Sequence, residues 1–208
     1  MNLNEQLDLL LNKNNIYLDN NQQNLIIKYV NLISKWNRVY NLTSVKEPLD
    51  MLKKHIIDSL IINQYLRGNK IADIGTGAGL PGIPLAKANP DKQFMLLDSR
   101  CKRTTFLNQV KIELKLNNVN IINSRVENYK INTFDVIISR AFSSIEDFVK
   151  LTYHLCDKNS YFFALKGKNP SDELSFLENS PKIELKEIIK LNILDFNCER
   201  HLVILKKL

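Results

Sequence analysis

The 208-residue sequence is poor in the features that mark several classes of protein. Its three cysteines, Cys101, Cys156 and Cys198, are widely spaced and odd in number, which suits neither a disulfide framework nor a paired-cysteine zinc site. Reduced thiols and no structural metal are the expectation. The longest apolar runs, such as Phe94 to Leu97 and Val136 to Ile138, fall far short of the roughly 18 residues that a membrane span needs. The first residues, Met1-Asn2-Leu3-Asn4-Glu5, carry no basic stretch leading into an apolar one, so no secretory leader and a cytoplasmic address are expected. Glycine is scarce too, with six in all, and four of them stand between Gly75 and Gly82.

What is abundant is apolar and basic. At 44% hydrophobic, the chain can bury one sizeable core. A net charge of +7 favours a polyanionic partner, although a chain this rich in Asn, Ile and Lys can become basic without selection for nucleic acid.

The texture changes along the chain. Residues 1–66 read as a helical extension, with Leu25, Tyr29, Ile33 and Trp36 on one amphipathic helix and Leu49, Leu52, Ile56 and Leu60 on a second. Residues 67–208 read as an α/β domain. Strands are expected at 70–74, 93–98, 119–123, 134–139 and 160–165, with helices at 80–89, 100–116 and 144–156 between them. Residues 182–194 and 200–206 read as a terminal antiparallel hairpin with a short link at 195–199. The expected fold is therefore Rossmann-like, a seven-stranded and mainly parallel sheet of the kind found in class I methyltransferases.

The chemistry concentrates after the first strand, in Asp73-Ile74-Gly75-Thr76-Gly77-Ala78-Gly79-Leu80-Pro81-Gly82. Glycines let the backbone turn sharply and approach a ligand, and a helix beginning near Leu80 would offer free N–H groups. Dinucleotide enzymes use a similar run. Asp73 separates the two readings, because an acid before the first glycine would repel a pyrophosphate but could orient the cationic methionine end of S-adenosylmethionine. A plain tight turn with a solvated acid remains the simpler alternative.

Asp98 ends the second strand about twenty residues past the glycines, where a carboxylate can accept ribose hydroxyls. It can equally cap the helix beginning near Arg100. Val126 and Glu127, on the loop after the third strand, are candidates for reading the adenine, or part of an ordinary polar loop. Arg140 and Ala141 follow the fourth strand at the edge where open α/β sheets bind ligands. Lys102, Arg103, Lys166, Lys168 and Arg200 lie near the same edge and could track phosphates, or could simply be solvated. His55 and Asp58, one turn apart, are too few to hold zinc, and a capping or packing pair is expected of them.

Over nearly its full length the chain resembles the bacterial 16S ribosomal RNA guanine-N7 methyltransferases, the glucose-inhibited division protein B family. The likeness is carried by Trp36-Asn37 with Asn41-Leu42-Thr43, His55 with Asp58-Ser59-Leu60, and Asp73 to Leu85. It continues through Leu97-Asp98-Ser99, Lys102-Arg103, Phe106-Leu107, Arg125-Val126-Glu127, Ser139-Arg140-Ala141-Phe142, Lys166-Gly167 and Arg200-His201. One departure is Ala78, where many relatives carry proline. The resemblance implies S-adenosylmethionine as cofactor and S-adenosylhomocysteine as product, with cofactor contacts at Gly75, Leu80, Val126, Glu127 and Arg140. Asp73, Gly77 and Asp98 join them from the loop and strand-end reading. It also implies 16S rRNA or the small ribosomal subunit as partner, the 530 loop of the decoding region as target, and a monomer.

Two absences agree with such a target. The sequence Ser139-Arg140-Ala141 replaces the Asn/Asp-Pro-Pro-Tyr loop used on exocyclic amines, and no cysteine nucleophile for pyrimidine C5 follows the fourth strand directly. Guanine N7 already presents a lone pair and needs mainly positioning, for which Arg140 is the catalytic candidate. A small-molecule methyltransferase and a non-catalytic nucleic-acid module are the competing readings.

Overall fold

A computed structural model of the chain describes every residue except 141, 143, 196 and 197. Ala141 and part of the hairpin link at 195–199 thus lie outside the described residues. The sheet is preceded by α1 (Leu3–Lys13), α2 (Asn20–Tyr40), a bent stretch made of α3 (Pro48–Met51), a π-helical turn (Leu52–Ile57) and α4 (Asp58–Leu60), and a short 3-10 turn (Asn63–Tyr65). The sequence reading resolved two amphipathic helices here and missed α1. A capping box at Asn2 and Glu5 starts α1, and Leu7, Leu10 and Leu11 bury its inner face.

The strands are β1 (Lys70–Ile74), β2 (Gln93–Asp98), β3 (Val119–Asn123), β4 (Phe134–Ser139), β5 (Cys156–Lys166), β6 (Ile183–Lys190) and β7 (His201–Lys207). Between them run α5 (Gly82–Ala88), α6 (Cys101–Glu113) and α7 (Ile145–Thr152). The sheet order is β3-β2-β1-β4-β5-β7-β6. The first five strands are parallel, and β7 runs antiparallel between β5 and β6.

Two differences from the sequence reading have local causes. Strand β5 begins at Cys156 rather than 160, because Cys156 pairs with Phe134 and carries the polar run Asp157-Lys158-Asn159 into the ladder. Helix α5 starts at Gly82, two residues later than expected, because the amide of Gly82 is taken by Asp73.

Alternate strand residues face two cores. Ile71, Phe94, Leu96, Val136, Ile138 and Phe163 pack with α1, α2, α5 and α6 in one continuous cluster. Ala72, Ile74, Leu97, Ile137 and Phe162 pack with α7 on the opposite face. The N-terminal helices therefore share the main core of the sheet. The order in which strands are added reverses between β1 and β4, which run parallel, so the ends of β1, β2 and β4 frame the crevice where open α/β sheets take their ligands.

Candidate functional site

Three glycines build the loop after β1. Gly75, Gly77 and Gly79 have φ of 70°, 63° and 94°, in the left-handed region where a side chain is strained. At Gly79 a Cβ would also stand 2.5 Å from Ile83 Cγ1. The amides of Gly75 and Thr76 donate to the carbonyl of Leu97, at 2.9 and 3.2 Å, which lashes the loop to the end of β2. From the other side the buried hydroxyl of Tyr29, on α2, donates to the Ala78 carbonyl at 2.6 Å. Tyr29 was legible only as a core position; its part in holding the loop depends on a partner 49 residues away.

Asp73 is 1% exposed and faces the loop from behind. Its Oδ2 accepts from the Thr76 hydroxyl at 2.6 Å and from the Gly82 amide at 2.8 Å. Burial pushes its pKa up to about 6 against the opposing pull of these hydrogen bonds and of Arg140. Its Oδ1 is buried and has no hydrogen-bond partner among the described residues. The geometry thus excludes the solvated alternative: the acid is buried and clamps the loop to the start of α5.

Two adjoining clefts open at this edge. The first, of about 370 Å³, is walled by Ile74, Leu97, Val126, Phe142 and Leu151, with Gly75, Asp98, Arg103 and Glu127 at polar positions. The second, of about 220 Å³, is lined by Leu42, Thr43, the loop from Gly75 to Ala78, Leu80, Arg103 and Arg140. Gly75 and Arg103 line both.

Asp98 is 2% exposed and collects donors from three elements. Its Oδ1 accepts from the Arg100 amide at 2.9 Å, and its Oδ2 from the Gly77 amide and Arg103 Nη1, each at 3.0 Å. Asp98 is not the N-cap that the sequence allowed, since Arg100 takes that place without a side-chain cap; its carboxylate instead ties the glycine loop to the turn before α6. Oδ1 keeps lone-pair capacity for a further donor such as a ribose hydroxyl.

Arg140 reaches the second cleft from the end of β4, and its Nη1 donates to Asp58 Oδ2 at 3.1 Å. The other oxygen of Asp58 accepts from Arg200 Nε at 2.8 Å. Sequence spacing paired Asp58 with His55; in the structure they stay neighbours on one helical stretch but take different hydrogen-bond partners. His55 Nε2 lies 2.7 Å from the Thr43 hydroxyl, its Nδ1 is buried without a partner among the described residues, and burial together with Arg140 pushes its pKa down to about 4.

The proposed phosphate track fares unevenly. Lys102 is exposed on α6. Arg103 pairs with Asp98, Arg200 with Asp58, and Lys166 with Glu173 at 2.8 Å. Of the five cations, Arg103, Lys166 and Arg200 are thus engaged with carboxylates of the protein itself while Lys168, like Lys102, is exposed, and Arg103 belongs to the wall of both clefts as much as to any outer surface.

A sheet of this order, with a glycine loop after β1 and a buried acid closing β2, defines a class I S-adenosylmethionine-dependent methyltransferase. Residues 22–203 match the family described as rRNA small subunit methyltransferase G, and the chain belongs to that family. It is 51% identical to the ribosomal RNA small subunit methyltransferase G of Glaesserella parasuis over 97% of this chain and 98% of the relative. Identity to the protein of the same name from Escherichia coli O9:H4 is 46%, over 97% of each. Among solved structures, a SAM dependent methyltransferase from Aquifex aeolicus is similar in fold, with a TM-score of 0.61 and 15% identity over 84% of this chain and 98% of that one. M. jannaschii TYW2 in complex with AdoMet has a TM-score of 0.58 at 17% identity, over 74% and 76%.

Proposed function

We propose that the chain methylates N7 of a guanosine in 16S rRNA, in the 530 loop of the decoding region, using S-adenosylmethionine held in the first cleft. When bound, that cofactor supplies an electrophilic methyl group on a sulfonium sulfur. Leu97, Val126, Phe142 and Leu151 offer apolar walls suited to an adenine ring, with Glu127 beside them, and Asp98 offers the ribose acceptor. The backbone of Gly75 and Gly77, with Leu80, shapes the passage into the second cleft.

One observation carries the choice of N7. Among the described residues, no carboxylate, cysteine, lysine or histidine lines the second cleft, whose polar side chains are Thr43, Thr76, Arg103 and Arg140. A ring nitrogen with an available lone pair needs no base there. Arg140 would hold the target base by donating to its acceptor edge, and water exclusion by Leu42 and Leu80 would strengthen that contact. Lys102, together with whatever surface Arg103, Lys166 and Arg200 leave open, would meet phosphates.

The test is to incubate the protein with methyl-labelled S-adenosylmethionine and undermodified small subunits, free 16S RNA, or small metabolites. Label is expected in 16S rRNA at a guanosine whose backbone becomes cleavable by reduction and aniline, the signature of N7 methylation. Arg140→Ala should lower transfer at saturating RNA by at least about tenfold. Label on metabolites alone would favour the small-molecule reading. Failure to bind the cofactor would leave only a nucleic-acid module.

A further inference from the structure

The buried carboxylate of Asp58 carries a role that the proposed chemistry has not yet used. Asp58 is 0% exposed and sits at the start of α4, directly after the π-helical turn. Its two oxygens hold one guanidinium each: Arg140, 82 residues on at the end of β4, and Arg200, 142 residues on and just before β7. Register brings these places together, because Lys166 at the end of β5 pairs with His201, and Ser139 at the end of β4 with Ala164. A carboxylate is kept away from water only where its partners are well placed, and here both guanidiniums converge on Asp58 while one of them, Arg140, lines the second cleft. The guanidiniums remain partly open, with side-chain exposures of 28% and 26%. Arg140 therefore offers one donor to Asp58 and can direct others into the cleft, while Arg200 also donates to the Glu199 carbonyl at 3.1 Å.

We infer that Asp58 is the positioning residue of methyl transfer, acting through Arg140: it is the shared counter-ion that fixes Arg140 in the second cleft and keeps Arg200 alongside it. This rests on the reading that Arg140 orients the target base. Two arginines brought together without Asp58 would repel each other, and Arg140 would leave the pose in which its free N–H groups face the cleft. Helix α4 is suited to the task because Asp58 projects from a fully buried segment in which Ile56, Ile57 and Leu60 anchor the backbone.

A double-mutant cycle tests this, reading kcat at saturating RNA and cofactor, with S-adenosylmethionine affinity and melting temperature measured beside it. Arg140→Gln and Asp58→Asn should each lower kcat by at least tenfold, and the double variant should be no slower than Arg140→Gln alone. Cofactor affinity should change by less than threefold in Asp58→Asn. A purely structural carboxylate would give a different result, with lowered stability and losses that multiply in the double variant. If Asp58→Asn does not fold, the double variant still decides, since it restores the original excess of one positive charge in the cluster. A further tenfold loss on adding Asp58→Asn to Arg140→Gln would overturn the inference. Wild-type kcat in a folded Asp58→Asn beside a slow Arg140→Gln would overturn it while sparing the reading of Arg140. Full activity in Arg140→Gln would remove both.

Discussion

Asp98 joins two local functions in one carboxylate. It takes the Gly77 and Arg100 amides into its own hydrogen bonds and keeps capacity for a ligand, so removing its charge should be felt most in cofactor binding. Asp98→Asn is expected to weaken S-adenosylmethionine by roughly 1–3 kcal/mol in calorimetry. A variant that melts earlier yet binds the cofactor as before would reduce Asp98 to a structural tie between the glycine loop and the turn before α6. Asp73 and His55 make a second prediction, because burial moves them in opposite directions. With Asp73 at about 6 against 3.8 unfolded, the folded chain keeps a proton that the unfolded chain has lost. Its contribution to stability is therefore largest below pH 4 and declines as pH rises to 6. With His55 at about 4 against 6.5 unfolded, its contribution is complete above pH 6.5 and is lost as pH falls towards 4. The two slopes offset each other between pH 4 and 6. Urea denaturation of Asp73→Asn should consequently show stability falling on acidification more steeply than in the wild type, by up to about 1.4 kcal/mol per pH unit in that window. Equal slopes in the two proteins would show that Asp73 does not titrate there.

At the scale of elements, the N-terminal helices support the cofactor loop as well as the core. Tyr29 of α2 gives the Ala78 carbonyl its hydrogen bond, so Tyr29→Phe leaves a buried acceptor unmatched beside the glycines. It should lower cofactor affinity severalfold and cost about 1–3 kcal/mol of stability, both readable in one thermal-shift titration. Retention of wild-type affinity would show that the loop holds its shape without α2. The sequence exposed most of this scaffold, and the exceptions follow from where the forces act. Strands β1 to β4 are dense in Ile, Val, Leu and Phe, and their bounds could be read directly from the apolar pattern. The start of β5 could not, since pairing with β4 imposes the strand on a polar run whose Asn159 takes a φ of 71°. The glycine loop and Asp98 were visible because close chain neighbours create them. The inward turn of Asp73 depends on Gly82, and the clamp at Asp58 on arginines in two distant strand connections, so neither lay within the reach of local spacing.

Over the whole molecule, an excess of +7 does not mean seven cations waiting for phosphate. Arg103, Arg140, Lys166 and Arg200 are each committed first to a carboxylate at the functional edge, so positive charge there is arranged in pairs with fixed direction. Chain order adds a further constraint. β7 follows the other strands in sequence yet is inserted between β5 and β6, and α1 is tied to the segment before β7 by Lys13 on Asp195 and by the Leu194 amide on Asn14. A polypeptide growing from its N-terminus can therefore form most of its sheet and still have a slot where the central antiparallel strand belongs, with Arg200 absent from Asp58. Removing residues 197–208 would leave two unpaired strand edges and one oxygen of the buried acid without its guanidinium, which are hallmarks of chains that aggregate or are degraded. The strand that closes the antiparallel part of the sheet is thus preceded directly by the residue that gives Asp58 its second guanidinium.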